Sequence, residues 1–255
     1  MTRAGSGLFD TLMLRRLRRR LDAVTRAADS VHPATLRRLL REVRATRPQL
    51  DAAEHAADSA LMRRAAPPPP ITGAHWSWRP PFWTQPMGHH IPAPRGEEIE
   101  PGLKIFHDCP LGLIALTQRR GRGGRQDPPF ALDLETYAFE GHFVSLVLDL
   151  PEAGWQGTSG RDIFELALRL ETERASPIFA RLNIRHGPNT EALLRHVPAE
   201  TAGNGAARIA FDIAGAQIDI GRIEGAWLDL IPEDPAMNRL TLHDLTLARR
   251  PRAEA

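Results

Sequence analysis

The stretch RLNIRHGPNTEALLRH, residues 181 to 196, is the most polar-rich strand-and-turn pattern in the second half of the chain. Arg181, Asn183 and Arg185 recur every second residue, so an extended backbone presents them on one face. The Gly-Pro-Asn turn that follows keeps His186 and Asn189 nearby. Guanidinium and amide groups in such a row suit a polyol, held by directional hydrogen bonds and bidentate arginine contacts. A solvated strand face ending in a hairpin explains the same residues without a ligand, and is the commoner case.

HWSWRPPFWTQPMGHH, residues 75 to 90, offers aromatic chemistry instead. Trp76 and Trp78 lie two apart and share a side in an extended chain, and Trp83 follows Phe82 after a Pro-Pro turn. Exposed indoles on a rigid platform would stack on sugar rings. The competing reading is a strap whose rings seal the protein's own core. We favour the strap, because a Pro-rich linker has no rigidity until it docks and four large aromatics are costly to leave in water.

Other reactive groups assemble less well. His89, His90 and His107 invite a metal, yet two adjacent histidines in a loop do not make a tetrahedral site and no carboxylate spacing accompanies them. Asp133 and Glu135 share one face of a strand and resemble the acid pair of a glycosidase, although alternating acids on a solvated strand are far commoner. There is no nucleophile elbow, phosphate-cradling glycine loop or dinucleotide fingerprint. No cofactor is therefore expected, and the chain reads as non-enzymatic. RRGRGGRQ, residues 119 to 126, suits phosphate contact or a long hairpin loop equally, and nucleic acid is not an expected partner.

The elements that must position these groups change along the chain. Residues 7 to 28 predict an amphipathic helix, with Met13, Leu14, Leu17, Leu21 and Val24 on one arc and Arg15, Arg16, Arg18 and Arg19 on the other side. A second helix is expected from Pro33, a break at Pro48, and a third over about 47 to 65. AAPPPP, residues 65 to 70, ends the helical region. From residue 102 the pattern alternates, with ten expected strands at 102–108, 112–119, 130–139, 142–150, 163–173, 177–186, 192–198, 207–214, 222–231 and 239–249. RLTLHDLTLARR reads as alternating along its whole length. Short strands so spaced point to an antiparallel sandwich or jelly roll.

Charge divides the chain in the same place. Residues 1 to 65 hold fourteen arginines against seven acids, while the remainder carries a net charge of −5. The two parts are fitted to different partners, or to each other. Cys109 is the only cysteine, so a reducing compartment is the simplest setting. No apolar run approaches the ~18 residues of a membrane span, and LFDTLML is too short for a secretion signal. The expected compartment is the cytoplasm, with the inner membrane surface as the place of any lipid contact.

WSWRPPFW, FHDCPLGLIALTQ, IFARLNIRHGPNTE and WLDLIPEDPAMNRLTLHDLTLARRPRAE together resemble a bacterial family known only as a domain of unknown function. The resemblance implies a bacterial source and brings no activity or site residue with it. LTLHDLTLARR also resembles the last strand of jelly-roll carbohydrate-binding modules, a likeness of fold.

These readings combine into an α+β protein: a basic helical region at 1–65, a Pro- and Trp-rich extended strap at 66–101, and a jelly-roll-like antiparallel β-sandwich at 102–255. The leading expectation is a binding or accessory protein whose sandwich recognises a carbohydrate or protein partner through Arg181, Asn183, Arg185, His186, Asn189 or the strap indoles. The alternative is a peripheral adaptor on an anionic membrane surface, held by the arginine side of the first helix. A glycoside hydrolase ranks third. Oligomeric state and ligand identity are not legible.

Overall fold

The structure is a computed structural model that describes residues 6–64, 71–88, 90–93, 95–121, 127–198 and 206–252. Its elements in chain order are α1 (Ser6–Ala27), α2 (Pro33–Arg64), β1 (Trp76–Trp78), β2 (Glu98–Glu100), β3 (Leu103–His107), β4 (Ile114–Arg120), β5 (Phe130–Thr136), β6 (Val144–Asp149), α3 (Glu152–Trp155), β7 (Asp162–Thr172), β8 (Ile178–His186), β9 (Asn189–Val197), β10 (Ala206–Asp212), β11 (Ile223–Pro232) and β12 (Asn238–Pro251). The chain divides into two compact units, Met1–Ala57 and Asp58–Ala255.

In the first unit, α1 and α2 are joined by a single turn of tighter helix at Ala28–Ser30. The expected break at Pro48 is absent: α2 runs unbroken through it for 32 residues. Proline removes one donor and crowds the carbonyl four residues back, which costs stability but does not forbid a helix flanked by good formers. Arg44, Arg47, Gln49, Leu50 and the alanines beyond supply that flank.

The second unit is a sandwich of two antiparallel sheets. One runs β10-β7-β12-β5-β4, with β1 added against β12, and the other β2-β3-β6-β11-β8-β9. The strand DIFELALRLET shows why the layers form. Phe164, Leu166, Leu168 and Leu170 are buried while Ile163, Glu165, Ala167 and Arg169 alternate outward, the period-two pattern that covers one face of a sheet. Phe164, Phe211, Trp83 and a set of leucines from both sheets form one continuous core. The two last strands, β11 and β12, lie inside their sheets, each paired on both sides.

Two local features depart from expectation. β12 does not alternate along its whole length, because a register shift between Leu242 and Asp244 inserts one residue. Leu240 and Leu242 face the core before that bulge, and Leu245 and Leu247 after it. The strap also contributes strands of its own: Trp76 pairs with Arg249 and Trp78 with Leu247, and Glu98 pairs with Lys104.

Candidate functional site

The strap is fixed by three anchors. Arg249, only 6% exposed, donates from Nε to His75 Nε2 at 3.0 Å and from Nη1 to the Gln156 carbonyl and Thr158 Oγ1 at 2.8 and 2.7 Å. The Gln118 amide donates to the carbonyls of Phe82 and Gln85 and accepts from the Met87 N–H. Trp83 is wholly buried. Trp83 is therefore core and not a ligand platform, and Trp76 and Trp78 are half-buried and pack against that same core. Docking leaves no row of exposed indoles, so the strap rings are corrected from candidate binding groups to structural ones.

The polar strand fares differently. Core residues Ala180, Leu182 and Ile184 of β8 leave Arg181, Asn183 and Arg185 on the opposite, outward face. His186 and Asn189 do not join them. They pair across the hairpin and share the side of Leu182 and Ile184, and His186 Nδ1 accepts the Asp219 N–H at 3.2 Å. Strand alternation places them on the wrong side of the sheet for a site with Arg181, so both are corrected. Arg185 lies against Gly225 and 3.7 Å from Glu224, at the edge of the group.

The neighbouring strand β11 completes the outward face with residues that the sequence did not single out. Asp229 pairs with Arg181 and Trp227 with Asn183. Arg181 Nε donates to Asp229 Oδ2 at 2.7 Å, its Nη2 reaches the same oxygen, and Asn183 Nδ2 donates to it at 3.1 Å. The other oxygen, Oδ1, is buried and has no hydrogen-bond partner among the described residues. Asp229 is 1% exposed, and burial pushes its carboxyl above the usual range although Arg181 opposes the shift. Beside this cluster stand the half-buried Trp227, the Lys104–Asp149 ion pair at 2.6 Å, and Phe179 packed edge-on to His196 with centroids 5.5 Å apart. The geometry is a carboxylate held from one side, with an acceptor left over, next to an indole.

The remaining candidates are placed elsewhere. Asp133 on β5 is gripped by Arg119 Nε at 2.9 Å and by the Thr241 hydroxyl at 2.6 Å, and Glu135 lies 3.9 Å from Arg239. Both acids belong to the ion-pair lattice on the outer face of the first sheet. His90 is bridged to Leu116 and lies 4.0 Å from Glu100, whereas His107 is a buried residue of β3 whose pKa burial and then Arg95 lower. His89 lies outside the described residues, as do residues 122–126 of the basic loop. Among the described residues no group of three His, Cys, Asp or Glu is arranged to hold a metal ion. Arg15, Arg16, Arg18 and Arg19 stand exposed on α1.

One family model matches the whole chain, residues 1–255, and carries no assigned activity. A comparison with curated proteins finds no match. Among solved structures, similar folds include the enzymatically active domain of tailspike protein 4 of bacteriophage CBA120, with 9% identity and a TM-score of 0.43 over 59% of this chain. The chain spans 19% of that tailspike domain's length. A cyclase from Fischerella sp. TAU matches with 11% identity and a TM-score of 0.45, over 70% of this chain and all of the cyclase. A family 11 carbohydrate-binding module from Clostridium thermocellum matches with 9% identity and a TM-score of 0.39, over 67% of this chain and all of the module. Likenesses of this degree bring no ligand or activity to the chain.

Proposed function

Because the chain belongs to the family of unknown function DUF6478, which supplies no activity to transfer, we propose from the site itself a non-enzymatic binding protein. Its ligand is a carbohydrate, taken on the outward face of β8 and β11. The observation that carries this reading is the free Oδ1 of Asp229, buried beside Arg181 and Asn183 and two residues from Trp227 on the same face. A buried acceptor without a donor is costly, and a ligand hydroxyl would satisfy it once the partly exposed Arg181 side chain swings aside to open a path to it. Vicinal sugar hydroxyls both donate and accept, so one can donate to Asp229 while the next accepts from Arg181 or Asn183. The apolar face of a pyranose ring suits the side of the Trp227 indole.

The ion pairing of the acids described on this face supports a binding role. Asp229 has Arg181 as its counter-charge, Asp149 is tied to Lys104, and Glu224 lies 3.7 Å from Arg185. The test is titration calorimetry against a panel of soluble oligosaccharides. Binding that is lost in both Asp229→Asn and Trp227→Ala, and kept in Arg208→Ala on the other sheet, is the expected result. Saccharide binding that ignores Asp229 and Trp227, or no binding across the panel, overturns the proposal.

A further inference from the structure

We propose that α1 is a lipid-contacting helix that lays the protein on an anionic bilayer surface. At about 100° per residue, Met13, Leu17, Leu21 and Val24 fall within an arc of roughly 80°. A helix with such a stripe ordinarily buries it. Here Met13 is 56% exposed, Leu17 41% and Leu21 37%, and no described side chain of α1 or α2 is buried. The start of α2 repeats the arrangement, with Leu40 and Val43 exposed among Arg37, Arg38, Arg41 and Arg44.

Charge selects the occupant. α1 carries six arginines against two acids, Asp10 and Asp22. Arg18 and Arg20 border the apolar arc, where long cationic side chains extend from a membrane interface toward the headgroups while their stems stay apolar. A second copy of this helix would bring six more arginines to the same seam, and nucleic acid would leave the leucines in water. An anionic lipid surface satisfies both the stripe and its flanks. No described helix is long and apolar enough to cross a membrane, so the contact lies in the plane of the interface.

The experiment is flotation of the full chain with vesicles of phosphatidylcholine containing one third phosphatidylglycerol, and with pure phosphatidylcholine. All five tryptophans lie between Trp76 and Trp227, so their fluorescence reports the melting of the sandwich separately. We expect flotation with the anionic vesicles alone, weakened about tenfold or more by high salt as screened charges predict. Leu17→Asp should abolish it while the sandwich melts as before, and Arg18→Glu with Arg20→Glu should do the same. Sedimentation of the wild type supplies the competing outcome. A dimer that Leu17→Asp converts to monomer, with no flotation, gives the stripe to a second copy and overturns the proposal. It is equally overturned by flotation that is as strong on neutral vesicles, or that survives Leu17→Asp.

Discussion

The indole N–H of Trp83 donates to the Leu242 carbonyl at 3.2 Å, joining residues 159 positions apart in the chain. Leu242 sits in β12 beside the bulge. The Pro-rich segment is thereby pinned to the middle of the first sheet, with its largest ring wholly inside the core. Trp83→Ala removes both the packing and the donor, and should lower unfolding stability by about 3 to 5 kcal/mol. Denaturant titration followed by far-ultraviolet dichroism measures it. A loss below about 1 kcal/mol would mean that the strap is dispensable.

A second substitution addresses the same strap from its other end. A Cβ built on Gly154 lies 2.7 Å from Trp76 Cζ2, so the indole of β1 rests directly on the α3 backbone. Gly154→Ala must push the ring away and strain the anchors of Arg249. We expect a clear drop in melting temperature and a red-shifted tryptophan emission, whereas Gly160→Ala, in free space, should leave both unchanged.

Much of this architecture was legible because sheet strands advertise themselves locally. DIFELALRLET buries every second residue, FVSLVLDL is buried on both faces from Val144 to Leu148, and each of the ten expected strands lies within a few residues of an observed one. β1 and β2 escaped because three residues among prolines carry no period. The site was half legible for a related reason. Alternation put Arg181, Asn183 and Arg185 on one face, but cross-strand pairing brings Asp229 and Trp227 to them from 48 and 44 residues away. WLDLIP shows that Trp227 and Asp229 share a side, and nothing local states which strand they will meet. His186 follows the same alternation, which puts it with Leu182 and Ile184 on the side away from Arg181.

Pro48 stands inside α2, where it removes a backbone donor from an exposed helix. Because α2 is already continuous, Pro48→Ala should leave the helical dichroism of the full chain nearly unchanged at low temperature and raise the temperature at which α2 melts. The intrinsic difference is about 3 kcal/mol in a helix interior, before any relief from local bending is counted. A marked rise in helicity at low temperature would instead indicate that α2 is interrupted at this proline in solution.

Asp108 provides an acid-range test. Its Oδ1 accepts the backbone N–H groups of Phe143 and His142 at 3.1 and 2.7 Å, and Oδ2 lies 2.8 Å from His142 Nδ1. The Phe143 N–H first, and the His142 side chain and N–H with it, lower the carboxyl from 3.8 to about 2. A pKa depressed in the folded state gives stability that is present above the unfolded value and lost as pH falls through the folded one. Wild type should therefore weaken between pH 4 and pH 2 more steeply than Asp108→Asn. The variant should be the less stable of the two at pH 7. Parallel acid titrations of the two proteins would refute the assignment.

Asp229 predicts the opposite sign. Burial raises its pKa above 3.8, so the folded state binds this proton more tightly than the unfolded chain does. Its favourable contribution is full below the unfolded value and declines as pH rises through the folded one. Asp229→Asn removes that decline. The asparagine oxygen still accepts from Asn183, and Arg181, whose side chain is 41% exposed, recovers water in place of its partner. The charge left behind is thus not a buried one, the condition under which breaking an ion pair is severe. We expect Asp229→Asn to be more stable than wild type at pH 7 by on the order of 1 kcal/mol, comparable with the gains seen when buried ion pairs are replaced. That gain should shrink toward pH 4, while saccharide binding is lost at every pH. Melting both proteins across pH 4 to 8 tests the sign: a variant less stable at pH 7 would make Asp229 a structural ion-pair member instead of a strained binding group.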